Sequence, residues 1–222
     1  GILAAAAAGG MEIAWILETH VHADHLSAAA YLKEKTGART GIGRAVSEVI
    51  VHPTDPNILF VSTTSGIAGI GQTTSGLTLP NAGIYRTTNA MSANPVFTKL
   101  TIQGTLSASR SVTDLAIEPD NPARLIAGVI GSGGDGGVYL STNALDAVPT
   151  FTRTLTTGDG SSAGRAELAV NKANGIVTVY AAHGTGNGTL SKSVDGGATF
   201  STAIANGFCS TQCFYDIAVA VD

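Results

Sequence analysis

A short segment led by a carboxylate and followed by apolar residues occurs four times in this chain, and nothing else in the sequence restricts its fold as strongly. The four copies are Ser47-Glu48-Val49-Ile50-Val51-His52-Pro53, Thr113-Asp114-Leu115-Ala116-Ile117-Glu118-Pro119, Ala166-Glu167-Leu168-Ala169-Val170-Asn171 and Tyr215-Asp216-Ile217-Ala218-Val219. Recurrence of the acidic residue at spacings of 66, 53 and 49 residues marks an array of similar supersecondary units. Within each unit a second strand follows a short turn: Ile58–Ser62, Arg124–Gly128 and Ile176–Tyr180. A third is expected at Gly83–Thr87, Gly137–Ser141 and Gly188–Lys192, and an outermost one at Phe97-Thr98, Phe151-Thr152 and Phe200-Ser201. Four short strands per ~50 residues predict a mainly β fold, a partial β-propeller of three four-stranded blades plus the start of a fourth. The expected units are 44–109, 110–164, 165–214 and 215–222, preceded by a strand–helix segment over 1–43.

The composition suits that expectation. Glycine is high, at 28 of 222 residues, and charged residues make up only 13%, as in short strands joined by tight turns. A net charge of −4 gives no electrostatic footprint for nucleic acid. No apolar run approaches the ~20 residues of a membrane span. Ile2–Ala8 is apolar but lacks a preceding basic residue and a cleavage site, so it does not read as a secretory signal. Cys209 and Cys213 are expected to close a small disulfide loop, which favours an extracellular or periplasmic location. A zinc site there would need two further ligands.

Ser193-Val194-Asp195-Gly196-Gly197-Ala198-Thr199-Phe200 resembles the Asp-box hairpin of sialidase-type (BNR) propellers, a superfamily that includes sialidases, xyloglucanases and sortilin-like receptors. The other units carry degenerate forms, Thr87…Asn89…Phe97 and Ser141…Asn143…Phe151. In such a hairpin Ser193, Asp195, Gly197, Thr199 and Phe200 are structural. The carboxylate of Asp195 ties its own turn, so the pattern needs no ligand.

The sharpest chemical signal lies in the front segment. An apolar strand, Ile13–Leu17, runs into His20-Val21-His22-Ala23-Asp24-His25, followed by a helix through Tyr31–Lys35. Three imidazoles and a carboxylate within six residues at a strand end can aim nitrogen and oxygen ligands at one cation. Residues 4–43 resemble the metallo-β-lactamase superfamily, and their flanks look most like its persulfide dioxygenase branch. The resemblance implies His20 and His22 as ligands of a first metal site, Asp24 and His25 at a second, and Zn or Fe as the metal. That fold takes its distant ligands from later motifs. The remaining histidines, His52 and His183, both fall inside the repeat, His52 as a turn residue.

Alignment of the repeats adds one constellation. Arg44, Arg110 and Arg165 precede Glu48, Asp114 and Glu167 by four, four and two positions. Together they are a channel-mouth ligand site of the sort that grips a substrate carboxylate, because a guanidinium binds carboxylates bidentately. The simpler expectation is that each arginine pairs with an acid of its own or the next blade.

The leading expectation is therefore a non-catalytic binding or scaffold module of a larger, exported protein. Its partner is a protein or a glycan, with self-association through the open propeller edge. The alternatives are a metal-dependent hydrolase or persulfide dioxygenase using the histidine motif, and a glycoside hydrolase acting at the blade mouth.

Overall fold

The computed structural model describes residues 1–18, 28–42, 46–64, 81–160, 164–205, 207–210, 213 and 217–221. The fold is mainly β, with several sheets, none of them closed. At the front, helix α1 (Ile2–Ala8) precedes strand β1 (Trp15–Glu18), helix α2 (Ala29–Thr36) and strand β2 (Arg39–Ile42). Strands β1 and β2 pair in parallel, Trp15 opposite Arg39, so this piece is a small β–α–β crossover. Helix α2 stops at Gly37, whose left-handed φ of 68° allows its amide to donate back to the Lys33 carbonyl, a common glycine C-terminal stop. Strand β2 was not expected; Arg39–Ile42 is too short and polar to announce itself.

Three antiparallel meanders follow. The first sheet is β3 (Val46–Val51), β4 (Leu59–Thr63), β5 (Gly83–Thr87) and β6 (Thr98–Lys99). The second contains β8 (Val112–Glu118), β9 (Asn121–Val129), β10 (Gly137–Ser141) and β11 (Thr150–Thr156). The third is β12 (Ala166–Ala173), β13 (Ile176–His183), β14 (Thr189–Ser193) and β15 (Ser201–Ile204). A two-residue strand, β7 (Gln103–Gly104), adds to the outer edge of the second sheet in parallel with β11. Gly104 is required there: its φ is +97° and a Cβ would stand 2.2 Å from the Phe151 carbonyl oxygen, so only glycine fits without backbone movement.

Register places the repeats on one another. Glu48 faces Ser62, Asp114 faces Gly128 and Glu167 faces Ala182 across the first strand pair of each sheet. Strands β3, β8 and β12 lie side by side. In β8 alternate residues serve opposite faces, as strand geometry demands. Leu115 packs with Phe60, Ile84 and Tyr139 toward the first sheet. Ala116 packs with Ile126, Val138, Leu168 and Val179 toward the third. Phe60, Ile84, Ile126 and Val179 are fully enclosed, each contributing roughly 1.5–3 kcal/mol of burial.

After the third sheet one expectation is met and one is not. Cys209 and Cys213 are joined by a disulfide, and with Ile217 and Ala182 they form a small apolar cluster on the far side of that sheet. Residues 217–221 form no strand, where a fourth opening strand was expected over 215–219. A strand needs a partner for its amides and carbonyls, and no described strand lies beside this segment.

Candidate functional site

The seam where the three sheets meet is built from the repeated openings. Ser47 and Thr113 are in register, and each sends its hydroxyl to the next sheet: Ser47 donates to the Val112 carbonyl, Thr113 to the Ala166 carbonyl at 2.9 Å. Asp114, which follows Thr113, does the same work with opposite polarity. Asp114 accepts the amide of Leu115 at 2.8 Å and, across the junction, that of Leu168 at 2.6 Å. Glu48 accepts the Val49 amide at 2.9 Å.

Of the carboxyls of Glu48, Asp114 and Glu167, the latter two feel the charge of their neighbours. Burial pushes the Asp114 carboxyl well above the usual carboxylate range, and the nearby charges of Glu167 and Glu48 push it further. Burial likewise raises Glu167 to about 7, opposed by Arg165 and reinforced by Glu48. Glu48 is raised by burial too. Desolvation disfavours the charged form, and like charges close together disfavour it again.

The arginines of the proposed mouth are engaged locally. Arg165 immediately precedes β12, two positions before Glu167, and pairs with it at 2.6 Å. Arg110 lies four positions before Asp114, with a register shift between Val112 and Asp114. The bulge turns Arg110 away, and it pairs with Asp135 in the β9–β10 loop and donates to the Ser132 carbonyl. Arg44 lies outside the described residues. Among the described residues, then, no pair of arginines converges on a common carboxylate.

The three hairpin turns between third and fourth strands share one hydrogen-bond plan. Ser193 donates to Asp195 at 2.7 Å, and Asp195 accepts both the amide (2.9 Å) and the hydroxyl (2.6 Å) of Thr199. Ser193 also accepts the Gly197 amide at 2.9 Å. The Thr199 and Ser193 hydroxyls hold the Asp195 carboxyl at about 2. Asn89 replaces the aspartate in the first sheet, taking the Thr87 hydroxyl at 2.8 Å and the Val96 amide at 2.9 Å. Asn143 does so in the second, with Ser141 and the Thr150 amide. Phe200 is half-buried against the core between the second and third sheets.

A set of inter-sheet arginines gave no sequence signal. Arg86 of β5 donates to the carbonyls of Ala144 (2.8 Å) and Asp146 (3.0 Å) in the next sheet's turn. Arg124 of β9 donates to Gly196 in the third sheet's turn at 3.0 Å while pairing with buried Glu118 at 2.9 Å. The front unit repeats the contact: Arg39 donates to Ser92 and Ala93 at 3.0 Å each, and the Trp15 indole donates to Ala90. These arginines come from β2, β5 and β9, which are different positions of their units, so alignment of repeats does not bring them together.

The motif residues His20, His22, Asp24 and His25 lie outside the described residues. Among the described residues no group of three or more His, Cys, Asp and Glu is placed to hold a metal. His52 accepts the amides of Thr54 and Asp55 through Nδ1, closing the β3–β4 turn. His183 is buried beside Ser191 at 3.2 Å, and burial lowers its pKa. Neither ring presents itself as a distant ligand.

Residues 2–79 match the model of the metallo-β-lactamase superfamily. The front of the chain is similar to a "Beta-lactamase hydrolase-like protein" of Agrobacterium fabrum, 62% identical over 40 residues, which is 18% of this chain and 9% of that protein. It is also similar to a "Probable metallo-hydrolase" of Burkholderia pseudomallei, 56% identical over 48 residues, 22% of this chain and 16% of that protein. The chain therefore spans only a small part of the length of these relatives. Among solved structures it is similar to the GH74 xyloglucanase of Xanthomonas campestris, with a TM-score of 0.32 and 16% identity, covering 70% of this chain and 28% of that one. A metallo-β-lactamase-superfamily stretch thus opens the chain.

Proposed function

We propose that this chain is part of an Asp-box β-propeller that serves as a binding or scaffold module, with a metal-motif unit over 1–43 at its front. The blades are 44–109, 110–164 and 165–214. One observation carries this reading: among the described residues, charged groups that the repeats align are used in construction. Asp114 fastens one sheet to the next, Arg110 and Arg165 are each paired locally, and Asp195 closes its own turn. Charged groups engaged in this way support architecture rather than turnover. The disulfide supports an exported host protein, and the partner is a protein surface or a glycan. A glycan array and a panel of fluorogenic glycosides test the reading. Binding without turnover is expected; turnover abolished by Glu167→Gln overturns it.

A second reading, a metal-dependent hydrolase or persulfide dioxygenase, is favoured by the family match over residues 2–79. The described residues do not supply the distant ligands such a centre takes, so no catalytic step is assigned to it. Metal analysis of the purified chain decides the point. Stoichiometric zinc or iron, lost on His20→Ala and His22→Ala and accompanied by hydrolase or dioxygenase turnover, makes this the operative function.

A further inference from the structure

The register of the sheets shows what one face of the first sheet lacks. Val49, Leu115 and Leu168 occupy the same position in their units, as do Val61, Ala127 and Ala181. In the second sheet this face is closed by Phe60 and Ile84 of the first. In the third it is closed by Ile126, Val138 and Leu140 of the second. The first sheet turns the same face toward the front unit across an apolar cleft of about 850 Å³, walled by Met11, Trp15 and Leu17 on one side and by Val49, Val61 and Tyr85 on the other. At its rim Val51 is 52% and Phe97 40% exposed, whereas Phe151, the counterpart of Phe97, is fully buried. Two polar groups of the cleft wall are already used, the Trp15 indole on the Ala90 carbonyl and the Tyr85 hydroxyl on the Asn81 carbonyl. A largely apolar open face of this kind marks a protein contact.

The complementary face is present on the same chain. On the far side of the third sheet Tyr180 stands where Phe60 and Ile126 stand in theirs, and Lys192 stands where Arg86 does. Arg86 uses that position to reach the turn carbonyls of the following sheet. Lys192 has its ammonium 5.5 Å from the Tyr180 ring centre. The cluster of Cys209, Cys213 and Ile217 reaches Ala182 and Leu190 but does not include Tyr180 or Lys192.

We propose that the open face of the first sheet docks the third sheet of a second copy of this chain, head to tail. Lys192 of the second copy then takes the carbonyls of Ser92 and Ala93 that Arg39 now holds. The front unit, held by Arg39 and Trp15, is the gate that competes for this face. The inference rests on the reading of the sheets as successive blades, since it extends their junction to another copy. A head-to-tail contact of this type closes into a ring or grows into a chain of copies.

Light scattering after size exclusion, over a range of concentrations, tests it on the full chain. The wild-type chain is expected to rise from one chain mass to two or more as concentration increases. Arg39→Ala with Trp15→Phe is expected to bring this on at an about tenfold lower concentration, because removing a competitor raises the fraction of open faces. Lys192→Glu is expected to return both to a single mass. Single-mass behaviour of the wild-type chain at every concentration overturns the proposal, and so does association that Lys192→Glu leaves intact. If the double variant does not fold, wild type against Lys192→Glu decides alone. The blade reading is judged separately: a far-ultraviolet circular dichroism spectrum lacking β signal overturns that reading, whereas a β-rich, cooperatively melting monomer overturns the docking alone.

Discussion

The carboxylate of Asp114 accepts the backbone amide of Leu168, a residue of the following sheet, at 2.6 Å. Strand β12 is the inner edge of its sheet, so this amide points away from β13, and Asp114 supplies the partner that no neighbouring strand provides. Removing the carboxylate orphans two buried amides, those of Leu168 and Leu115. Asp114→Ala is expected to cost about 2–4 kcal/mol, the desolvation penalty of two unsatisfied donors. Asp114→Asn, which keeps one acceptor oxygen, is expected to cost about half as much. Urea denaturation followed by circular dichroism checks both, and a cost for Asp114→Ala within error of zero contradicts the inter-sheet role.

Stability should fall as pH rises through neutrality. Glu167 has its pKa raised by burial from 4.5 to about 7, and Asp114 is raised in the same direction. A carboxyl raised on folding binds its proton more tightly in the native state. Its contribution is full below the unfolded value, near pH 4.5, and is lost as pH climbs through about 7. For Glu167 alone the loss is about 1–3 kcal/mol. Urea midpoints at pH 5 and pH 8 should therefore differ, with the lower one at pH 8, and Glu167→Gln should flatten the difference. A wild-type midpoint that rises from pH 5 to pH 8 refutes the assignment.

The two inter-sheet arginines are not equivalent. Arg86 satisfies two carbonyls, while Arg124 also neutralises Glu118, whose side chain is 6% exposed. Arg124→Met leaves that buried carboxylate with only the Lys172 ammonium, 3.2 Å away. It should cost about 2–4 kcal/mol, against about 1 kcal/mol for Arg86→Met. Equal losses in thermal or urea melts contradict the distinction.

The degenerate turns respond differently to repair. Asn89 has no carboxylate among its hydrogen-bond partners, so Asn89→Asp should strengthen the bonds from Thr87 and Val96 and leave stability unchanged or raised by up to about 1 kcal/mol. Asn143 donates through Nδ2 to Asp146 at 3.0 Å. Asn143→Asp turns that bond into a repulsion and should destabilise by about 1 kcal/mol. Parallel melts of the two variants with the same sign of change count against the shared turn plan.

The strands were legible because each unit carries the same alternation after a carboxylate, and Asn89, Asn143 and Asp195 align by eye. Beyond that the sequence was mute, for physical reasons. Arg39, Arg86 and Arg124 act on carbonyls of another unit, and backbone acceptors leave no trace in residue identity. Arg110 and Arg165 both precede the carboxylate of their unit, yet Arg110 pairs with Asp135 of a loop and Arg165 with Glu167 itself. The strand expected at 215–219 follows from pattern alone, and pattern cannot supply a neighbouring strand. The histidine motif over His20–His25 is the reverse case, plain in sequence and outside the described residues.

The most direct test of the account is the hydrogen-exchange rate of the Leu168 amide relative to that of Val170. Both amides fall on the same edge of β12 by strand alternation, but only Leu168 has the carboxylate of the preceding sheet on it. The account predicts that Leu168 exchanges at least about tenfold more slowly than Val170, approaching the rate of global unfolding, and that Asp114→Ala abolishes the difference. Exchange of Leu168 at the rate of an exposed edge amide, in a folded chain, contradicts the idea that the Asp114 carboxylate joins the second sheet to the third.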